Sequence, residues 1–120
     1  MQLNQFLLTL SNTPELIEFE DTIGIIEKYY DFSPCCFTNG SVTNEAGQNS
    51  GSCKIFAFGK LHGLSEDAIL HCFGRYYREH VLLNPTGDDH QNIRNFMKMG
   101  WKGVWFERIP LQPKAAEYQP

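Results

Sequence analysis

The stretch that most constrains this chain is LSEDAILHCFGRYYREHV, residues 64–81. Ser65 offers an N-cap hydroxyl, Glu66 and Asp67 place acid where a helix dipole is positive, and Leu64 can staple against Ile69. Ile69, Phe73, Tyr76 and His80 then share one stripe, with Leu70, Tyr77 and Val81 beside it. The spacing predicts one helix from Ser65 to just before Asn84-Pro85, where proline disfavours helix in the residue ahead of it. A face this rich in aromatic and aliphatic side chains needs a core to enter. With 42% apolar and 13% aromatic residues, a 120-residue chain supplies one.

The flanking segments sort by the same periodicity. Leu3, Phe6, Leu7 and Leu10 mark a short amphipathic helix. Thr13-Pro14 reads as a helix start, with a turn over 14–19 and a firm helix over about 21–31 that Phe32-Ser33-Pro34 closes. Asn39-Gly40 between Phe37-Thr38 and Ser41-Val42 is a two-residue hairpin signal of the I′ kind. NEAGQNSG, residues 44–51, is a polar surface loop. Ser52 then caps a helix to about Leu61, although residues 54–58 are also compatible with a buried strand. Thr86-Gly87-Asp88-Asp89 is a turn in which either Asp can cap the helix HQNIRNFMKM, and Gly100 is its C-cap glycine. Val104–Glu107 reads as an aromatic-rich strand. Pro110, Pro113 and Pro120 leave the last ten residues irregular. The sum is an α+β fold, mostly helical: four to five helices on a small antiparallel sheet made of the hairpin near 35–44 and the strand near 104–108. The reading is one domain over 1–114 and an irregular tail over 115–120.

Charge narrows the partners. Residues 1–50 carry seven acidic residues against Lys28 alone, which leaves −6; residues 51–120 carry nine basic and seven acidic residues, which leaves +2. That balance argues against nucleic acid, which needs a clear basic footprint. No run approaches a membrane span. No Lys or Arg precedes the first apolar segment, so the start does not read as a signal peptide and the chain is expected in the cytoplasm. Cys35, Cys36, Cys53 and Cys72 show no C-x-x-C spacing and are expected as free thiols. His62, His71, His80 and His90 fall on different segments, so no metal site is expected and no cofactor is implied. The chain is taken as a monomer.

Three groups of residues carry candidate chemistry. Cys53 follows Gly51-Ser52 at a helix start, where a helix dipole lowers a thiol pKa. As a nucleophile it would need a base, and His90 is the candidate, with Asp89 or Asn92 as the group that orients it, which gives a cysteine-dependent hydrolase or transferase. The competing reading packs Cys53 as a small apolar residue and leaves Asp88-Asp89-His90 as a helix cap, and it is preferred. Arg75 with Arg78, and Arg94 with Lys98, each share a helix face and could form a cationic patch, or instead pair with neighbouring acids. Tyr76, Tyr77 and Trp101 would complete a binding surface if exposed, and core or core rim if not.

Taken together, YYDFSPCCFTNG (29–40), SGSCKIFAF (50–58), FGRYYR (73–78) and DHQNIRNFMKMGW (89–101) resemble the HopJ type III effector family of bacteria, over about residues 1–114. Cys35-Cys36 departs from the family's pattern and receives no family role. The resemblance implies a kinship with candidate effectors delivered into plant cells by type III secretion, and so possible secretion into a host cell. It brings no catalytic activity and no active site. The preferred expectation is a protein that acts by binding a protein or small-molecule partner; the alternative is the thiol enzyme with Cys53 and His90.

Overall fold

The computed structural model describes residues 1–114. The chain runs through α1 (Leu3–Asn12), a 3₁₀ turn (Pro14–Leu16), α2 (Phe19–Tyr29), β1 (Tyr30–Phe32), β2 (Phe37–Asn39) and β3 (Val42–Asn44). It continues through α3 (Ser50–His62), α4 (Glu66–Cys72), a π-helical turn (Tyr76–Val81), α5 (Gln91–Met99), a second 3₁₀ turn (Gly100–Gly103), β4 (Val104–Phe106) and β5 (Leu111–Pro113). The architecture is α+β and mostly helical, as the periodicity indicates.

The centre of the core is α3. Cys53, Ile55, Phe56, Ala57 and Phe58 are all buried, so the middle of this helix is covered on every side, while Lys60 and Leu61 near its end are exposed. A helix buried all round loses the one-sided pattern that marks amphipathic helices. That is why periodicity does not exclude a buried strand over residues 54–58 in sequence. Phe58 meets Phe6 of α1 edge-on at 5.9 Å, and Phe56 packs on Phe96 of α5 at 5.0 Å. Gly59 lets α4 approach, since a Cβ there would collide with Ile69.

The long helix expected over 65–83 is divided. Ser65 caps α4 as anticipated, accepting a hydrogen bond from the Ala68 N–H at 3.1 Å. The helix ends at Cys72 because Gly74 takes φ +60, and a Cβ there would lie 2.6 Å from the Phe19 backbone nitrogen. Residues 76–81 then rewind as a π-helical turn that buries Tyr77 and Val81 and leaves Tyr76 half-buried and His80 exposed, so the expected stripe of Ile69, Phe73, Tyr76 and His80 shifts by one residue past the break. Gly74 therefore trades helix continuity for contact with the first turn of α2.

β2 pairs with β3 on one side and β4 on the other, both antiparallel. Asn39 pairs with Val42, so the two loop residues are Gly40-Ser41 rather than Asn39-Gly40. Only Gly40 has a positive φ, as in turns with Gly first. Asn39 is drawn into the ladder because its side chain is wholly buried against α5, its Nδ2 donating to the Asn92 carbonyl at 2.7 Å. A second sheet, absent from the sequence reading, pairs β1 with β5. The end of the described chain is thus not irregular up to Lys114. Pro113 is tolerated because β5 is an edge strand, where a missing N–H costs little. Residues 115–120, expected as an irregular tail, lie outside the described residues.

Candidate functional site

A cleft of about 370 Å³ opens where the first turns of α3 and α5 approach one another. Phe19 and Tyr76 wall one side; Asn49, Ser52, His90 and Gln91 supply polar atoms. Asn49 and His90 precede the two helices and both adopt left-handed backbone, at φ 51 and φ 49. They are the two non-glycine residues with positive φ among the described residues. In that conformation neither side chain caps its helix. The Asn49 carbonyl still accepts from the Cys53 N–H at 3.0 Å, and the His90 carbonyl from the Arg94 N–H at 3.1 Å. The N–H groups of the first three residues of each helix have no intrahelical acceptor. Gly51 and Ser52 of one helix and Gln91, Asn92 and Ile93 of the other belong to the cleft lining.

A buried amide network holds this geometry. Asn92 Nδ2 donates to Asn44 Oδ1 at 2.9 Å, and Asn49 Nδ2 donates to the same oxygen at 2.7 Å. Asn44 Nδ2 and Asn39 Nδ2 donate to Asn92 Oδ1 at 3.2 and 3.0 Å. One network thus joins the start of α3, the hairpin and the start of α5. Asn39 Oδ1 is buried with no hydrogen-bond partner among the described residues. In a low-dielectric interior such amides are costly unless paired, so the network specifies one mutual position for the two helices.

Beside the cleft, Tyr76, His80 and His90 form a cluster of three rings, each pair with centroids 5.2–5.3 Å apart. His80 Nδ1 and His90 Nε2 are 3.0 Å apart, so one imidazole donates and the other accepts. Asp89 Oδ2 lies 3.8 Å from His90 Nε2. Asp89 Oδ1 accepts from Arg94 Nη2 at 2.6 Å, and that hydrogen bond, with the nearby His90 and Arg94 charges, holds the Asp89 carboxyl below its usual pKa. Neither Asp88 nor Asp89 caps α5. Asp89 is engaged by Arg94, and His90 occupies the cap position itself.

Cys53 lies away from this cluster in its contacts. It is 2% exposed, absent from the cleft lining, and one turn inside α3 with its N–H already satisfied. Burial first, and the neighbouring Cys35 second, push its thiol up to about 12. A helix start lowers a thiol pKa only when the sulfur is near free N–H dipoles and water; here desolvation wins. His90 makes its contacts with His80, Tyr76 and Asp89 rather than with a thiol.

The cationic candidates are largely committed. Arg78 donates to the Ile17 carbonyl at 2.6 Å and the Pro14 carbonyl at 3.3 Å, with Glu18 Oε2 at 3.6 Å. Arg75 also faces Glu18, at 3.7 Å. Arg94 is 8% exposed and, besides Asp89, donates to the Asn84 carbonyl at 3.0 Å. Lys98 is exposed in the last turn of α5. Tyr77 is buried against His71, and burial raises its pKa. Trp101 closes the core rim, its Nε1 donating to the Leu64 carbonyl at 2.9 Å. Of the binding candidates, Tyr76 lines the cleft. Phe19, Asn49 and Gln91 are cleft residues that sequence reasoning did not single out, while Asn92, a candidate to orient His90, lines the cleft as His90 does. Left-handed backbone at Asn49 and His90 leaves no composition signal, and Phe19 reads only as one more apolar residue of α2. Among the described residues no group of three or more His, Cys, Asp or Glu side chains is arranged to hold a metal ion, and no helix is long and apolar enough to cross a membrane.

Comparison with known proteins places this arrangement among relatives. The family model described as HopJ type III effector protein matches residues 3–111. A search of curated proteins finds no match. A crystal structure of a protein of unknown function, VPA0580, is similar over 95% of both chains, with 58% sequence identity and a TM-score of 0.93.

Proposed function

The chain belongs to the HopJ type III effector protein family, and from that premise we propose that it acts by binding a small molecule in the cleft between α3 and α5. The ligand presents a flat apolar face to Phe19 and Tyr76 and a hydrogen-bond-accepting edge to Ser52, Gln91 and the first-turn N–H groups. The observation that carries this reading is the cleft itself: a concave site with an aromatic wall and a few convergent polar groups is the usual form of a small-molecule site. The amide network supports it, because buried polar residues that fix the two helix starts give a pre-formed site and spare a ligand the cost of ordering it. A binding role uses His80 and His90 as donors and acceptors and asks no chemistry of the buried Cys53.

The test is a thermal-shift screen of the full chain with a panel of aromatic carboxylates and aromatic phosphate monoesters. A ligand present at one hundred times its Kd stabilises by about 2.7 kcal/mol. Gln91→Trp, at an exposed position on the rim, fills the cleft and abolishes the shift. A panel with no active member, or a shift that survives Gln91→Trp, contradicts the proposal. Delivery into a host cell, which the family's description suggests, is a separate proposal. A reporter fused to the first 50 or so residues that stays inside a secreting cell removes it.

A further inference from the structure

A second groove of about 390 Å³ is bounded by Lys60 and Leu61 of α3, Trp105 and Phe106 of β4, and Arg108 and Ile109 beyond it. It gathers exposed apolar side chains: Trp105 is 57% exposed, Ile109 63% and Leu61 47%. β4 is also an edge strand. Cys36 pairs with Glu107 and Gly40 with Gly103 through hydrogen bonds of 3.0 and 2.9 Å. By that alternation Val104 and Phe106 turn their backbone groups away from β2, and β4 has no other neighbour among the described residues. The Val104 N–H turns back to the Trp101 carbonyl, which leaves the Val104 carbonyl and both Phe106 groups on the open side. An unpaired edge beside exposed aromatic surface is a template for an added strand.

The charge on the groove selects its occupant. Its charged lining residues are Lys60 and Arg108, with no acid among them, on a chain whose net charge is −4. Lys60 makes no ion pair among the described residues, while Arg108 pairs with Glu107 at 3.0 Å and donates to the Pro34 carbonyl at 2.7 Å. A second copy of this chain meeting the same face about a two-fold axis would set Lys60 and Arg108 against their like. The geometry points to an acidic, extended peptide segment of a partner protein, which adds to the β4 edge, seats apolar side chains against Leu61, Trp105 and Ile109, and sets carboxylates against Lys60.

The experiment is to pan a random 12-residue peptide library displayed on phage against the full chain and to measure recovered peptides by isothermal titration. The expected consensus alternates apolar residues with two or more Asp or Glu. Its affinity falls at least tenfold in Trp105→Ser and at least fivefold in Lys60→Glu, both at exposed positions. Circular dichroism and the unfolding midpoint check that each variant is folded. Replacing the peptide's acids with Lys restores binding to Lys60→Glu. No enriched peptide, a basic consensus, or affinity unmoved by both variants overturns the proposal. So does a concentration-dependent dimer that Trp105→Ser dissolves, because it assigns the face to a second copy.

Discussion

Gly74→Ala tests how the cleft is held. Gly74 sits at φ +60, and a Cβ there meets backbone rather than a yielding side-chain tip: the Phe19 nitrogen at 2.6 Å and the Glu18 Cα at 2.9 Å. Left-handed backbone costs a non-glycine residue about 1–2 kcal/mol. Overpacking against a fixed neighbour costs about 1–3 kcal/mol more. A loss of about 3 kcal/mol follows. With an unfolding entropy of about 2.1 cal/mol/K per residue, the 120-residue chain has about 0.25 kcal/mol/K, so Tm falls by about 12 °C. Gly24 is the control. It lies exposed inside α2 with nothing within 4 Å of its missing Cβ, so Gly24→Ala gains about 0.5–1 kcal/mol. Urea and thermal unfolding of the three proteins measure both effects. The substitution at 74 also pushes on Phe19, whose ring stands edge-on to Tyr76 at 5.2 Å across the cleft wall, so ligand affinity falls with stability. A loss below 1 kcal/mol at Gly74, or the same sign at both glycines, refutes the argument that α4 ends where it does to admit α2.

Other consequences are as direct. Iodoacetamide at pH 8 alkylates the native chain at half-buried Cys36 ahead of Cys53 and Cys72, whose thiols burial holds up at about 12, whereas denatured chain takes four labels; rapid native labelling at Cys53 would revive the nucleophile reading. Burial holds the same two folded-state thiols above the ordinary thiol value, so the folded state keeps its protons longer. Their contribution is present below pH 9 and is lost as pH rises toward 12, which appears as an alkaline decline in unfolding free energy that Cys53→Ala reduces. Asp89 runs the other way: the hydrogen bond from Arg94 depresses its pKa, so it contributes stability above the ordinary carboxyl range that is lost as pH falls through the depressed value, and Asp89→Asn flattens the acid limb of the stability profile. Asn44→Ala leaves Asn49 Nδ2 and Asn92 Nδ2 without their shared acceptor and costs about 1–3 kcal/mol in urea unfolding.

Much of the fold was legible where local physics decides it. Ser65 caps α4, Gly100 ends α5 at φ 63, and the 37–44 hairpin pairs with the strand at 104 as patterning requires. What was not legible depends on contacts distant in sequence. Gly74 breaks a good helical stripe because Glu18 and Phe19 need its space. Asn39 leaves the turn for the ladder because Asn92 receives it. β5 forms beside two prolines because β1 offers an edge. The candidate site divides along the same line. Arg78 and Arg94 are arginines on helix faces in sequence; only the fold reveals that backbone carbonyls occupy them. Cys53 at a helix start looks activated until burial is counted. The cleft depends on left-handed backbone at Asn49, whose side chain belongs to the buried amide network, and at His90, and no local motif announces either.

A pre-formed small-molecule site at the joined starts of α3 and α5 has a signature at single residues. An amide-resolved NMR titration of the full chain with a hit from the aromatic carboxylate and phosphate panel tests it most directly. Saturable shifts are expected at the Gly51, Ser52, Gln91 and Asn92 amides, with the Tyr76 ring following, and none of them in Gln91→Trp. Shifts that map to the β4 groove, or that persist unchanged when the cleft is filled, contradict it.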